Sequence, residues 1–307
     1  MDKNRETEII QHINMNYLEI FLVEMISRGP HGHDDLEIGI LLDGQMTLYI
    51  EQKQYDLHAG DIYIINRYQV HSFSNTSGRN LILAFQISTN FYRRLNHQFT
   101  FLQFDNNIIR SGHLYQHLHS TLMDCATYYF KDDPYYELKC SSLIFEALYS
   151  LVCSAHCIQT TEQEFRTAQN NSQRISRIIE YISEHYMEKL TLDDIATLEG
   201  ISPYHASHFI TKVLGITFQE CLANIRFEHA LQLINKTDLN LLDICMETGF
   251  SSSKYLNQMF EKKFGCTAKE YKKSKDKPSY IENVLPLDNL QKRHSFEQSA
   301  FLFHKLQ

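Results

Sequence analysis

Residues 190–265 carry one pattern twice. LTLDDIATLEGISPYHASHFITKVLG (190–215) is followed by LNLLDICMETGFSSSKYLNQMFEKKFG (239–265). Setting Ile195-Ala196 over Ile244-Cys245 brings Gly200 onto Gly249, Ile201 onto Phe250 and Ser202 onto Ser251, an offset of 49 throughout. The second copy then gains a residue, so that Gly215 meets Gly265. A repeat of this length, punctuated by glycine, is a supersecondary unit used twice.

Each copy reads as helix, turn, helix. Thr191 is a good N-cap for a helix over Asp193 to Glu199, and Gly200 ends it where positive φ is favoured. Ile201 anchors the turn, and Ser202-Pro203 opens the next helix, with Ser as cap and Pro in the first turn, running to about Leu214. The second copy predicts a helix over Leu241 to Thr248, Gly249 at its end, Phe250 as anchor, and Ser251 capping Ser252 to Phe264. The additional residue falls in the region of this second recognition helix, so the two helices need not present equivalent faces. FQECLANIRFEHALQLIN between them predicts a longer helix burying Phe218, Leu222, Ile225 and Ala230. A helix-turn-helix offers the start of its second helix to the major groove, and two on one rigid link reach successive grooves about 34 Å apart.

The 307 residues suffice for two cores. Residues 174–277 hold 14 Lys+Arg and 14 Asp+Glu, net 0, whereas residues 1–173 hold 12 and 20, net −8. Residues 278–307 hold 3 of each. The two halves therefore have different surfaces, though neither is strongly basic. Seven cysteines at spacings that match no disulfide or zinc framework read as reduced, buried thiols in cytosol. The polar start MDKNRETEII predicts no signal peptide, and no apolar run is long enough for a membrane helix.

Five stretches within 17–88, YLEIFLVEMI, LEIGILLDG, MTLYIEQKQYDL, DIYIIN and NLILAFQIS, read as strands. Turns at Asp43-Gly44, Ala59-Gly60-Asp61 and Asn75 to Gly78 separate them, which suggests a small antiparallel barrel or jelly roll. GHLYQHLHSTLMDCATYYF and YYELKCSSLIFEALYSLVCSAHC have helical periodicity, broken at Asp132-Asp133-Pro134. Such helices offer an apolar stripe to a partner subunit, or else simply cover the barrel. We therefore divide the chain into a barrel and dimerisation domain (1–158), a polar, unpatterned linker (159–173), an all-α domain (174–274) and a tail (275–307) in which SFEQSAFLFHKL predicts a short helix.

His31-x-His33-x-x-x-Glu37, six residues, then Gly44, precedes Gly60-Asp61 and His71. This spacing resembles the two metal-binding motifs of cupin barrels, in which three histidines and a carboxylate hold a divalent ion. The second motif departs from the pattern, with Asn66 where Pro is common and the later Gly absent. We take His31, His33, Glu37 and His71 as effector-binding residues of a pocket with no metal and no cofactor. A metal on the same four, or a purely structural role, are the alternatives.

Residues 175–273 resemble the AraC/XylS family DNA-binding domain. The resemblance is carried by IA-x3-GIS-P, Gly215, IRFEHALQLI, and above all DI-x4-GFSSSKYLNQMFEKKFG-x4-EY. It implies an α+β chain: a cupin-like sensor barrel with a helical dimerisation segment, then a double helix-turn-helix. It places Tyr204, His205, Ser207 and His208 in the first recognition helix and Ser253, Lys254, Asn257 and Gln258 in the second, with Thr211, Lys212 and Lys262 nearer the DNA backbone. Asn and Gln suit adenine, and Lys reaches guanine or phosphate. Family members often have Arg where His208 and Gln258 stand, Leu at Ala206, Phe at Ile210, Tyr at Cys221 and Pro at Ala268. The resemblance implies a cytoplasmic, homodimeric, non-enzymatic regulator of transcription. Such a regulator binds double-stranded DNA, most often activates through RNA polymerase, and answers to a small effector, often a sugar. A cupin metalloenzyme with a helical appendage leaves 175–273 unexplained, and a repressor without ligand is the third reading.

Overall fold

The computed structural model describes residues 15–75, 78–93, 95–154, 157–274 and 289–306. The polar start, part of the expected Asn75–Gly78 turn and Pro278 lie outside them. The front half is a nearly closed antiparallel barrel of the cupin kind, and a helical region follows. The strands are β1 (Leu18–His31), β2 (Leu36–Asp43), β3 (Gln45–Ile50), β4 (Lys53–His58), β5 (Ile62–Ile65), β6 (His71–Asn75) and β7 (Leu81–Ile87). A short helix α1 (Thr89–Tyr92), a 3-10 turn (His97–Phe101), β8 (Leu102–Phe104) and β9 (Ile108–Ile109) lead to the long helices α2 (Gly112–Lys131) and α3 (Tyr136–Ser154). The sheet runs β4-β3-β6-β1-β7-β2-β5-β9.

The hydrophobic alternation of these strands is imperfect because both faces are buried. Ile82, Ala84, Met46, Leu48, Tyr63 and Phe73 point into the barrel. Leu81, Leu83, Phe85, Ile38 and Ile40 point out, onto a layer built by α2 and α3 through Leu118, Leu122, Cys125, Ile144 and Leu151. MTLYIEQKQYDL, read as one strand, is a hairpin: Ile50 pairs with Lys53, and Glu51 turns with φ 54°. β6 had no counterpart among the predicted strands, being short and rich in Ser and His.

After β10 (Cys157–Gln159), the stretch expected to be an unpatterned linker is helical. It forms the first half of α4 (Glu162–His185). A capping box nucleates the helix, with Thr161 accepting from Glu164 N–H and the Glu164 carboxylate accepting from Thr161 N–H. Its few non-polar contacts suffice to dock it: Phe165 meets Tyr68 edge-on with ring centroids 5.3 Å apart, and the Arg67 guanidinium lies 4.5 Å over the same ring. Ser172, fully buried, packs so closely on Gly32 that a Cβ there would lie 2.2 Å from its Oγ.

The helical region contains α5 (Leu192–Glu199), α6 (Pro203–Leu214), α7 (Phe218–Lys236), α8 (Leu241–Glu247), α9 (Ser253–Phe264) and α10 (Ala268–Lys273). The central helix α7 serves two cores. Phe218, Cys221, Leu222 and Ile225 join α4, α5 and α6, whereas Phe227, Ala230 and Ile234 join α8, α9 and α10. The chain then returns to the barrel, where β11 (Asn289–Arg293) pairs antiparallel with β1 and α11 (Phe296–Leu306) packs on α2.

Gly200 and Gly249 close the first helix of each copy at φ 63° and 71°. A Cβ at Gly200 meets nothing within 4 Å, but at Gly249 it would lie 2.8 Å from Tyr186 O and 2.9 Å from Met187 Cα. Gly200→Ala is therefore expected to cost about 1–2 kcal/mol, the left-handed strain alone. Gly249→Ala adds a backbone overlap and should cost clearly more, which parallel urea unfolding of the two variants would measure.

Candidate nucleic-acid interface and effector site

Both recognition helices are capped locally. The Ser202 hydroxyl accepts from His205 N–H at 3.3 Å, and the Ser252 hydroxyl accepts from Tyr255 N–H at 3.4 Å. The cap of the second helix is thus Ser252, not Ser251. The additional residue of copy two lies in the turn before the helix, and both helices have 12 residues. From the cap onward the offset is 50, so Ala206, Ile210 and Leu214 face the first core just as Leu256, Phe260 and Phe264 face the second. The two helices do present equivalent faces.

That register pairs Tyr204 with Lys254, His205 with Tyr255, Ser207 with Asn257, His208 with Gln258, and Lys212 with Lys262. Tyr204, His205, His208, Thr211, Lys212, Ser253, Lys254, Gln258 and Lys262 are exposed, and Ser207 and Asn257 are half-buried. Asn257 is partly committed, since its Oδ1 accepts from Ala268 N–H at 3.0 Å and so caps α10. Tyr255, which the offset of 49 hid, belongs on the same face; counting back from Gly215 and Gly265 reveals it. The first helix is also held from the barrel, as Gln52 Nε2 donates to the Lys212 carbonyl at 2.6 Å.

In the barrel, β1 ends at His31, the β1–β2 turn carries His33, β2 carries Glu37 and β6 opens with His71. The fold brings all four together. Ring centroids lie 4.1 Å apart for His31–His71 and 5.1 Å for His33–His71. The three rings turn Nδ1 to the backbone carbonyls of Gly29, Asp35 and Gln69 at 2.8, 2.9 and 2.9 Å. Carbonyls only accept, so each Nδ1 is protonated and Nε2 is left for the cluster. Arg28 Nε donates to His31 Nε2 at 3.3 Å, and His33 Nε2 lies 3.1 Å from Glu37 Oε2. His71 Nε2 is buried with no hydrogen-bond partner.

Burial would raise the Glu37 carboxyl. The hydrogen bond and charge of His33 outweigh burial, helped by the Tyr63 hydroxyl donating at 2.9 Å, and hold it at about 2. Burial drives His71 well below its ordinary value, and its neighbours His31 and His33 push the same way. Burial, then Arg28 and His33, do the same to His31. The cluster therefore sets two neutral imidazoles beside a carboxylate.

A divalent ion fits this donor set. The ligating nitrogens of His31, His33 and His71 lie within 4.8 Å of one another, and the orphaned His71 Nε2 is the lone pair such an ion would engage. Arg28 now supplies the positive charge at His31. The pocket here measures about 40 Å³, bordered by Arg28, His31, Glu37, Tyr63, Gln291 and Arg293. A larger cavity of about 320 Å³ opens outside the barrel, walled by Tyr92, Phe99, Leu102 and Phe104 on one side and by Phe145, Leu148 and Val152 of α3 on the other.

Residues 195–274 match a helix-turn-helix domain model and residues 19–86 a cupin domain model. An uncharacterised HTH-type transcriptional regulator of Staphylococcus aureus strain MSSA476 is 26% identical over 254 residues, 81% of this chain and 32% of that protein. The chain therefore joins an AraC-type helix-turn-helix domain to a cupin domain. It spans about a third of that staphylococcal relative. The uncharacterised HTH-type regulator YbfI of Bacillus subtilis strain 168 is 27% identical over 74% of this chain and 80% of its own length. Among solved structures, the C-terminal domain of AraT, a response regulator from Geobacillus stearothermophilus, is similar at 29% identity and TM-score 0.32, over 36% of this chain and 91% of that one. ToxT from Vibrio cholerae O395 is similar at 14% identity and TM-score 0.36, over 84% and 98%. Among the described residues no helix is long and apolar enough to cross a membrane.

Lys254→Ala and Gln258→Ala are expected to weaken binding at a specific AraC/XylS-type site by about 1–3 kcal/mol each, with stability unchanged. Asn257→Ala should also lower stability by about 1 kcal/mol, because Ala268 N–H loses its acceptor. Anisotropy titrations run beside thermal melts separate the two effects. Chelator-stripped protein titrated with Ni²⁺ should bind about one equivalent and melt higher, and His71→Ala should abolish both responses.

Proposed function

We propose that the chain is an effector-controlled activator of transcription. In this reading the barrel and α2–α3 (residues 15–158) sense a small molecule and dimerise, and residues 174–274 read a promoter and recruit RNA polymerase in the cytoplasm. The observation that carries the DNA half is the matched pair of exposed, polar recognition helices built on the two-core helix α7. A catalytic role would leave that pair without a purpose.

Dimerisation is supported by a stripe along α3, where Leu138 and Tyr149 are 73% and 66% exposed and Val152 continues the same face. A sugar suits neither cavity well. The barrel pocket of about 40 Å³ has room for an ion or a water, whose share of liquid is about 30 Å³. The cavity of about 320 Å³ is walled by Leu, Phe, Val and Tyr. Its charged lining residue, Arg67, is already spent on Asp34 and the Thr100 carbonyl. We infer an apolar effector for that cavity, with the His31/His33/Glu37/His71 cluster as a separate, ion-sized site.

Selection of binding sequences from random duplexes tests the reading. Recovered sites should bind at least about 10³-fold tighter than random DNA at physiological salt. Equal affinity for both would end the reading. Leu138→Asp should yield monomers by light scattering and weaken binding to two-half-site DNA, while affinity for a half-site stays unchanged.

A further inference from the structure

The segment after the DNA-binding half is built into the barrel. β11 pairs with the middle of β1 from Val23↔Arg293 to Arg28↔Asn289. Beyond the strand, His294 N–H donates to the Leu22 carbonyl at 2.9 Å and Leu22 N–H donates to Ser299 Oγ at 3.2 Å. Arg293 makes a 3.0 Å ion pair with the largely buried Glu19 and lies 3.8 Å over the Phe21 ring. On α11, Phe303 is fully buried against Phe130, with ring centroids 5.3 Å apart. This is a core contact, not a loose tail. The sensor unit is completed by residues 289–306, and the DNA-binding half is a topological insertion within it.

Both connections to the insertion meet the barrel beside the histidine cluster. The leading one, α4, seats Ser172 on Gly32, the residue between His31 and His33. The trailing one, β11, contributes Gln291 and Arg293 to the pocket that holds His31 and Glu37. Arg28, which occupies the His31 nitrogen, stands opposite Asn289 in the β1–β11 ladder.

We propose that residues 289–306 are a clasp that reads the occupancy of the histidine site and restrains the DNA-binding half. A divalent transition-metal ion on His31, His33 and His71, with Glu37 beside His33, competes with the Arg28 guanidinium for His31 Nε2. It also repels both guanidiniums lining the pocket, Arg28 and Arg293. Displacing Arg28 disturbs the strand at its pairing with β11, so the ion loosens the clasp. The second helix-turn-helix, tethered through that clasp, gains freedom to align with the first on DNA. Ion and DNA are then coupled through one two-state element, which both sites bias. The DNA consequence rests on the regulatory reading above, whereas the clasp's response to the ion does not.

The full chain tests this by hydrogen–deuterium exchange with Ni²⁺ as the probe. Amides of 289–294 should exchange about tenfold faster once Ni²⁺ is bound, with barrel amides of β2 and β7 unchanged, and the His71→Ala chain should show no response. Phe303→Ala and, more gently, Arg293→Gln should free the same amides without metal. Both should shift DNA affinity about fivefold or more in the direction Ni²⁺ shifts the unaltered chain, and should blunt any further Ni²⁺ effect. The clasp is refuted if Ni²⁺ fails to bind, or binds and leaves exchange at 289–294 unchanged. It is equally refuted if the freed variants keep the DNA affinity and full Ni²⁺ response of the unaltered chain. Should no form bind specific DNA, the regulatory reading fails, and the exchange result still decides whether the segment answers to the ion.

Discussion

A buried strand must have its backbone hydrogen bonds met along both edges, and β1 is too long for any one neighbour to do so. Over its 14 residues it pairs with β7 through Leu18–Val23, with β11 through Val23–Arg28 and with β6 through Ser27–His31. The rest of the molecule follows from this. The pairing with β6 sets His71 opposite His31 and so creates the cluster. The pairing with β11 requires the chain to come back after its DNA-binding half. The turn that follows β1 supplies Gly32, the only residue type small enough to let α4 lie against the barrel there.

The DNA-binding half rests on a different constraint. α7 is apolar on more than one side and cannot be covered by one neighbour, so it draws a separate three-helix core onto each end. Each core locks its recognition helix by three apolar anchors, and the 50-residue register makes the outward faces equivalent. What differs between them is chemistry. The first face offers Tyr204, His205 and His208, and the second offers Lys254, Tyr255 and Gln258, with the cation and the amide on the second. Neither face carries an arginine, so Lys254 and Lys262 of the second helix and Lys212 of the first are the cations these helices present.

Caps and turns were legible because they are short-range. Thr191, Ser202 and the glycines at 200, 215, 249 and 265 act on groups within a few residues of themselves, so their positions in the chain describe their positions in space. The strands were legible in kind but less so in number, since burial on both faces erases the period of two. The first half of α4 escaped because its docking rests on Phe165 and Ser172 amid polar residues, and only the barrel surface gives those two a partner. Asn257 looked like a free base reader because its bond to Ala268 crosses 11 residues and a turn.

The repeat, its helix-turn-helix form and the His-x-His-x-x-x-Glu run were written in the sequence, because local hydrogen bonding and side-chain period determine them. That the three histidines meet, with Glu37 against His33 and one nitrogen of His71 left unpartnered, was decided only by the barrel's strand pairing. So was the return of residues 289–306 to β1. Strand partnership joins residues more than 260 apart, and nothing local in the chain specifies which edge will need covering.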